Sequence, residues 1–284
     1  MELRFMARTF WASFISSLKM VVRYVTLRGL VAFNLSVPLF FVLTSWVMGM
    51  FMITEGSGIS DYLMSTIGTE DYLSFVTIGF AFNSFIFSAV FGGSHAIRGE
   101  QQHGTAELVF VTPSNKLAWL LGKMMGNLIF SIVTFFILLV FGAVLFGFHP
   151  KAPPNILLAI VGILLTMIAL MAFGFVFAGI CFMAKRENEL SQVLWPVMVL
   201  FSGLAFPITN FPLWWKIIAW ILPVTHGVEI TRNALLLGSS FSDPNILFGL
   251  GILVLQMIIL LPIGTTLYTK MENVAKRKGT LGTY

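Results

Sequence analysis

Residues 155–184 read NILLAIVGILLTMIALMAFGFVFAGICFMA, thirty positions without an Asp, Glu, Lys or Arg. A hydrocarbon core about 30 Å thick is crossed by about 20 apolar residues in helical form. This stretch alone therefore predicts a transmembrane helix, one long enough to tilt or to project beyond the bilayer. Five more stretches, 30–53, 72–97, 124–148, 190–210 and 245–269, are equally free of charge. None shows the alternation of a membrane β-barrel, and helices satisfy their own backbone in lipid. The expected fold class is an all-α membrane protein of six transmembrane helices. Composition agrees: 57% of the 284 residues are hydrophobic and 10% charged, where a soluble domain carries about 25% charged residues.

Orientation follows from Lys and Arg, which accumulate on the cytoplasmic side. Arg4, Arg8, Lys19, Arg23, Arg28, Arg98, Lys116, Lys123, Lys185, Arg186, Lys270, Lys276, Arg277 and Lys278 fall on one side, and only Lys151, Lys216 and Arg232 on the other. Both termini, the 98–123 loop and the 185–189 loop are thus expected in the cytoplasm of a cell-membrane protein. The net charge of +5 reflects these loops. It is not a nucleic-acid patch, because no basic run sits in a polar domain. Within 1–28, Arg4, Arg8, Ser16, Lys19 and Arg23 share one helical face while Phe10, Phe14, Leu18 and Val21 take another. That is an amphipathic helix lying in the interface rather than a cleaved signal, which needs an unbroken apolar core.

The stretch 203–244 interrupts the pattern. Gly203, Pro207, Pro212 and Pro223 break a continuous helix, and Trp214, Trp215 and Trp220 stand beside Lys216 in the manner of an interfacial belt. Span five is expected to run to about Phe206. Short re-entrant external helices follow before Glu229 and Arg232.

The cytoplasmic loop RGEQQHGTAELVFVTPSNK, residues 98–116, is the most informative segment. Thr112-Pro113 fits a helix N-cap followed by proline in the first turn, which would start span three's helix here. Residues 105–111 suffice for a short helix, in which Leu108, Val109, Phe110 and Val111 form a contiguous apolar knob. Docking to a protein and packing on the bilayer surface both fit such a knob.

The pattern Glu100, Gly104-Thr105, Glu107-Leu108, Phe110, Thr112-Pro113 and Gly122-Lys123 resembles the coupling segment of permease subunits of type-2 ABC exporters. Ser202-Gly203, Phe206-Pro207, Phe211-Pro212, Leu222-Pro223, Thr225, Glu229 and Arg232 are similar to that family's region after the fifth span. The resemblance covers nearly the whole chain, 1–284. It implies partner ABC ATPase subunits that carry ATP and Mg, a second permease chain in a homo- or heterodimer, and an amphiphilic cargo. Lipids, lipid-linked glycans and hydrophobic drugs belong to that class. It further implies that ATPase closure pushes on the 98–116 segment.

The sequence itself has no ATP site. A phosphate loop needs Gly-x-x-x-x-Gly-Lys-Ser/Thr, and the one Gly-Lys, Gly122-Lys123, is followed by Met124. No cofactor is expected in this chain. His95, His103, His149 and His226 are scattered without metal-ligand spacing, and the single Cys181 excludes an internal disulfide. Gly122-x-x-x-Gly126 could pack helices or arise by chance. Asn34, Asn83, Asn127 and Gln256, the polar residues within spans, are read as interhelical hydrogen-bonding groups in preference to substrate contacts. The rival class is an ion- or proton-coupled secondary transporter. Such proteins need ionisable groups within the membrane, and all six spans lack them.

Overall fold

A computed structural model describes residues 2–24, 36, 39–40, 42–44, 47, 72–102, 104–112, 114–146, 152–184 and 187–278. Ten α-helices are described. In order they are α1 (Glu2–Tyr24), α2 (Tyr72–Ala81), α3 (Asn83–Gln102), α4 (Ala106–Val111), α5 (Lys116–Phe146), α6 (Ile156–Ala184), α7 (Glu187–Phe201), α8 (Leu213–Ile221), α9 (Pro223–Leu236) and α10 (Pro244–Lys278). A 3₁₀ turn, Ile208–Asn210, precedes α8. No strand occurs among the described residues.

Four of these segments are long and apolar enough to cross a membrane: Tyr72–Glu100, Lys116–Leu145, Ile156–Cys181 and Pro244–Val274. They correspond to the expected spans at 72–97, 124–148, 155–184 and 245–269. The first expected span, 30–53, lies outside the described residues except at a few positions. The fifth, 190–210, is not one helix. Helix α7 stops at Phe201, short of the expected Phe206. Its 15 residues reach about 22 Å at about 1.5 Å per residue, less than the thickness of a bilayer core. The break comes at Ser202-Gly203, where Gly203 takes φ +73°, a left-handed conformation that glycine adopts without a Cβ penalty.

The α2–α3 span is the inner helix of the bundle and is almost wholly buried, whereas α10 is mostly exposed. The span bends at Phe82, where the Phe82 amide bonds the Gly79 carbonyl at 3.0 Å. Around the bend Phe82 and Phe85 pack on Phe135 of α5, with ring centroids 5.1 and 4.9 Å away. These rings centre a core that also holds Phe75, Ile86, Leu170, Met198 and Val228. A second core joins α6, α9 and α10 through Leu158, Ile230, Ala234 and Leu253. Of the four polar span residues, Asn83 and Gln256 bridge helices, and Asn34 lies outside the described residues. Trp195 Nε1 donates to Asn83 Oδ1 at 3.0 Å, and Gln256 Nε2 donates to the Trp220 carbonyl at 2.9 Å.

Helix α1 packs on α5. A Cβ on Gly122 would lie 2.6 Å from the Phe10 carbonyl oxygen, and one on Gly126 would lie 2.5 Å from Ser17 Cβ. The Gly122-x-x-x-Gly126 spacing is therefore a packing face. Buried Ser13 and Ser17 fill it from the other side, and close backbone approach requires the missing side chains. Trp11 and Ile15 stay exposed on α1, alongside exposed Arg4, Arg8 and Lys19.

Candidate functional site

Two clusters of polar side chains lie at opposite ends of the bundle. The first surrounds α4, between the C-terminus of α3 and the N-terminus of α5. Glu100 organises it. Its carbonyl accepts the Thr105 amide at 2.9 Å. Its Oε2 accepts the Thr105 hydroxyl at 2.6 Å, and its Oε1 lies 3.2 Å from Lys123 Nζ. Glycine stands at 104 because φ there is +67°, which turns the chain from α3 into α4. Thr105, next in sequence, is the residue that precedes α4.

The far end of α4 is held by Lys116. Its Nζ donates to the Val109 carbonyl, to the Thr112 carbonyl at 2.6 Å and to Ser114 Oγ at 2.8 Å. The last carbonyls of a helix have no partner within it, and a lysine ammonium is suited to that place. Lys116 is itself buried at 6% exposure, next to a core of Trp119, Leu120, Met124, Phe175 and Tyr268 against which Val109 packs. The expected Thr112-Pro113 N-cap is corrected here. Helix α5 starts at Lys116 with the Ala118 amide bonded to Asn115 Oδ1 at 3.0 Å. The Thr112 hydroxyl instead donates back to the Leu108 carbonyl at the end of α4. Asn115 caps better because its side chain reaches the amide three residues on. Pro113 and the side chains of Glu107 and Phe110 lie outside the described residues.

Between these anchors, Leu108 is 70% and Val111 80% exposed. A six-residue helix clamped at both ends presents two bare apolar side chains.

The opposite end is organised by Arg232 of α9, which is buried. Its Nε donates to the Phe75 carbonyl at 2.9 Å and its Nη1 to the Gly203 carbonyl at 2.8 Å. Its Nη2 donates to the Leu204 carbonyl. The guanidinium carbon sits 3.4 Å above the centre of the Phe75 ring. The planar fork of arginine thus collects carbonyls released where α7 ends and where α2 begins. Gly79 permits this approach, since a Cβ there would lie 2.3 Å from Nη2. Beside Arg232 a cavity of about 520 Å³ opens between α8, α9 and the start of α10, lined by Gly203, Pro207, Thr225, Glu229 and Arg232 among others. Glu229 is exposed there and does not bond Arg232. Phe206 is exposed nearby at 53%. Pro212 immediately precedes α8 and Pro223 opens α9, positions that spare an amide with no helical partner.

The structure holds Glu100, Gly104, Thr105, Leu108 and Thr112 around one short helix and separately joins Gly203 to Arg232. It ties Lys123 of the same pattern to Glu100, and adds Lys116 and Asn115 to the first group and Phe75 and Gly79 to the second. Lysine and arginine outside the spans read as topology signals, and nothing in the sequence marks Arg232 as a donor to the Phe75, Gly203 and Leu204 carbonyls.

A sequence model of the family described as ABC-2 family transporter protein matches residues 59–265. Over 147 residues the chain is 23% identical to the probable multidrug ABC transporter permease YbhR of Escherichia coli K12 and, equally, to that of Escherichia coli O157:H7. The match covers 52% of this chain and 39% of those relatives' own length.

Proposed function

The chain belongs to the ABC-2 transporter family and is a multi-pass membrane permease, and on that footing we propose that it is the permease subunit of an exporter of amphiphiles. Two permease chains would form the pathway with six spans each, and two separate ABC ATPase subunits would bind ATP and Mg and dock on α4. The observation that carries this reading is the pair of bare apolar side chains, Leu108 and Val111, on a helix whose both ends are fixed. An exposed apolar patch held rigidly is pre-organised for a protein partner. The relatives' printed description as multidrug permeases and the uncharged spans favour an amphiphile as cargo.

In this reading α4, both termini and the 185–189 loop face the cytoplasm, and the Arg232 cluster faces outward. Single cysteines in a Cys181→Ser background test the orientation: Val111→Cys reacts only from inside and Ser240→Cys from outside. Co-purification with the ATPase tests the docking. Truncating Leu108 and Phe110 to Ala is expected to weaken the complex by about 1–3 kcal/mol each, the range of interface anchors. Glu107→Ala should cost less, as charges at an interface rim do. Equal ATPase yield from Leu108→Ala/Phe110→Ala and parent would make α4 a bilayer-surface helix instead.

A further inference from the structure

The cavity beside Arg232 is lined by side chains of opposite charge that make no direct ion pair with one another. Lys216 of α8 and Glu229 of α9 both line it, and no ion pair joins either of them to another described residue. Thr225 also lines the cavity. Thr225 is 2% exposed, and its Oγ1 is buried without a hydrogen-bond partner. Arg232, by contrast, is committed to the Phe75, Gly203 and Leu204 carbonyls.

From this arrangement we infer that the cavity binds the zwitterionic headgroup of a phospholipid, its phosphate at Lys216 and its ammonium at Glu229. A ligand with one charge meets a partner at only one of these two side chains. A ligand with both neutralises both. Depth fits as well. The cavity lies at the end of the bundle where α10 begins, walled by Trp220, and tryptophan belongs at headgroup level. Phe248 stands on the cavity's edge, and Phe248, Leu255 and Ile259 follow one another on one face of α10, all exposed. Acyl chains hanging from the headgroup would lie along that stripe while remaining in the bilayer. The site lies within one chain, distinct from a pathway formed between two chains, and goes beyond the permease reading.

Native mass spectrometry of the full-length chain in a non-phospholipid detergent tests this. The probes are phosphatidylethanolamine (both charges), phosphatidylglycerol (phosphate only) and diacylglycerol (neither), with matched acyl chains. Each charge-assisted contact should raise retention about tenfold, giving an order of phosphatidylethanolamine, phosphatidylglycerol, diacylglycerol. Glu229→Gln should bring phosphatidylethanolamine down to the phosphatidylglycerol level and leave phosphatidylglycerol unchanged. Lys216→Met should lower both phospholipids, and Lys216→Arg should restore them. Equal retention of the three lipids, or variants that hold phosphatidylethanolamine as well as the parent, would overturn the site. Unaltered melting temperatures show that the variants fold. Because no ATPase is needed, a failure here is separable from a failure of ATPase co-purification.

Discussion

Lys123 Nζ lies 3.2 Å from Glu100 Oε1, so the two strands of chain that flank α4 are clamped to one another at its base. Both side chains are largely buried, at 8% and 16% exposure. Glu100 spends its second oxygen on Thr105, which leaves the carboxylate fully engaged. The position of α4 is therefore set by side-chain bonds rather than by its own helical propensity, which six residues cannot supply.

Breaking that clamp should be measurable as coupling. Glu100→Gln and Lys123→Met, alone and together, form a double-mutant cycle in which the pair contributes about 0.5–3 kcal/mol of interaction energy. Thermal unfolding in detergent supplies the stabilities. A cycle that closes at zero would mean that the clamp leaves α4 unsupported.

The contact of α1 with α5 makes a separate prediction. Gly126→Val places a branched side chain where Ser17 Cβ already stands 2.5 Å from an ideal Cβ position. Overpacking of this kind costs about 1–3 kcal/mol, and the cheapest relief is to lift α1 off the bundle. Hydrogen exchange should then accelerate across α1 while α6 and α10 keep their protection. Gly251→Val is the control, because nothing lies within 4 Å of a Cβ there.

Much of this architecture is legible in the sequence, for a stated reason. Span boundaries depend on local hydropathy, so four of the expected spans recur as continuous or gently bent helices. Gly104 and Gly203 can be read because only backbone conformation decides them. The end of α7 is misplaced because local apolarity continues through Leu204, Ala205 and Phe206 after the backbone has already turned. Gly122 and Gly126 are ambiguous because their partners, Ser13 and Ser17, are far away in the chain. Arg232 is opaque for the same reason: the acceptor it meets in α2, the Phe75 carbonyl, lies 157 residues away and is a backbone group with no side-chain signature.

Arg232 is expected to be irreplaceable by lysine. The Phe75, Gly203 and Leu204 carbonyls diverge around a planar fork, and a single ammonium is a point charge that cannot reach all of them. Each carbonyl left bare in a buried setting costs about 1–3 kcal/mol. Arg232→Lys should therefore lower the melting temperature markedly, and Arg232→Met more. Thr209→Ala, on the exposed surface of the same region, should change it little. A lysine variant as stable as the parent would mean that the carbonyls find other donors.

Lys116 offers the sharpest separation of binding from transmission. Its ammonium ties the last turn of α4 to the first turn of α5 through the Val109 and Thr112 carbonyls, while Leu108 and Val111 remain bare on the outer surface. A partner ATPase would grip the outer face, and Lys116 would pass its displacement into α5. Lys116→Met preserves much of the aliphatic stem and its packing but removes every donor. The apolar face survives, so ATPase yield on co-purification should stay close to that of the parent. Hydrogen exchange of the Thr112 amide, bonded to the Leu108 carbonyl at 3.1 Å, should quicken as the end of α4 frays. Transport per ATP hydrolysed should fall, with hydrolysis itself retained. Lys116→Arg, which keeps the charge and its donors, should recover part of the loss. If Lys116→Met lowers ATPase yield and transport in equal proportion, the lysine only shapes the docking face. If transport per ATP is unchanged, motion reaches α5 by another route, through the Glu100–Lys123 clamp.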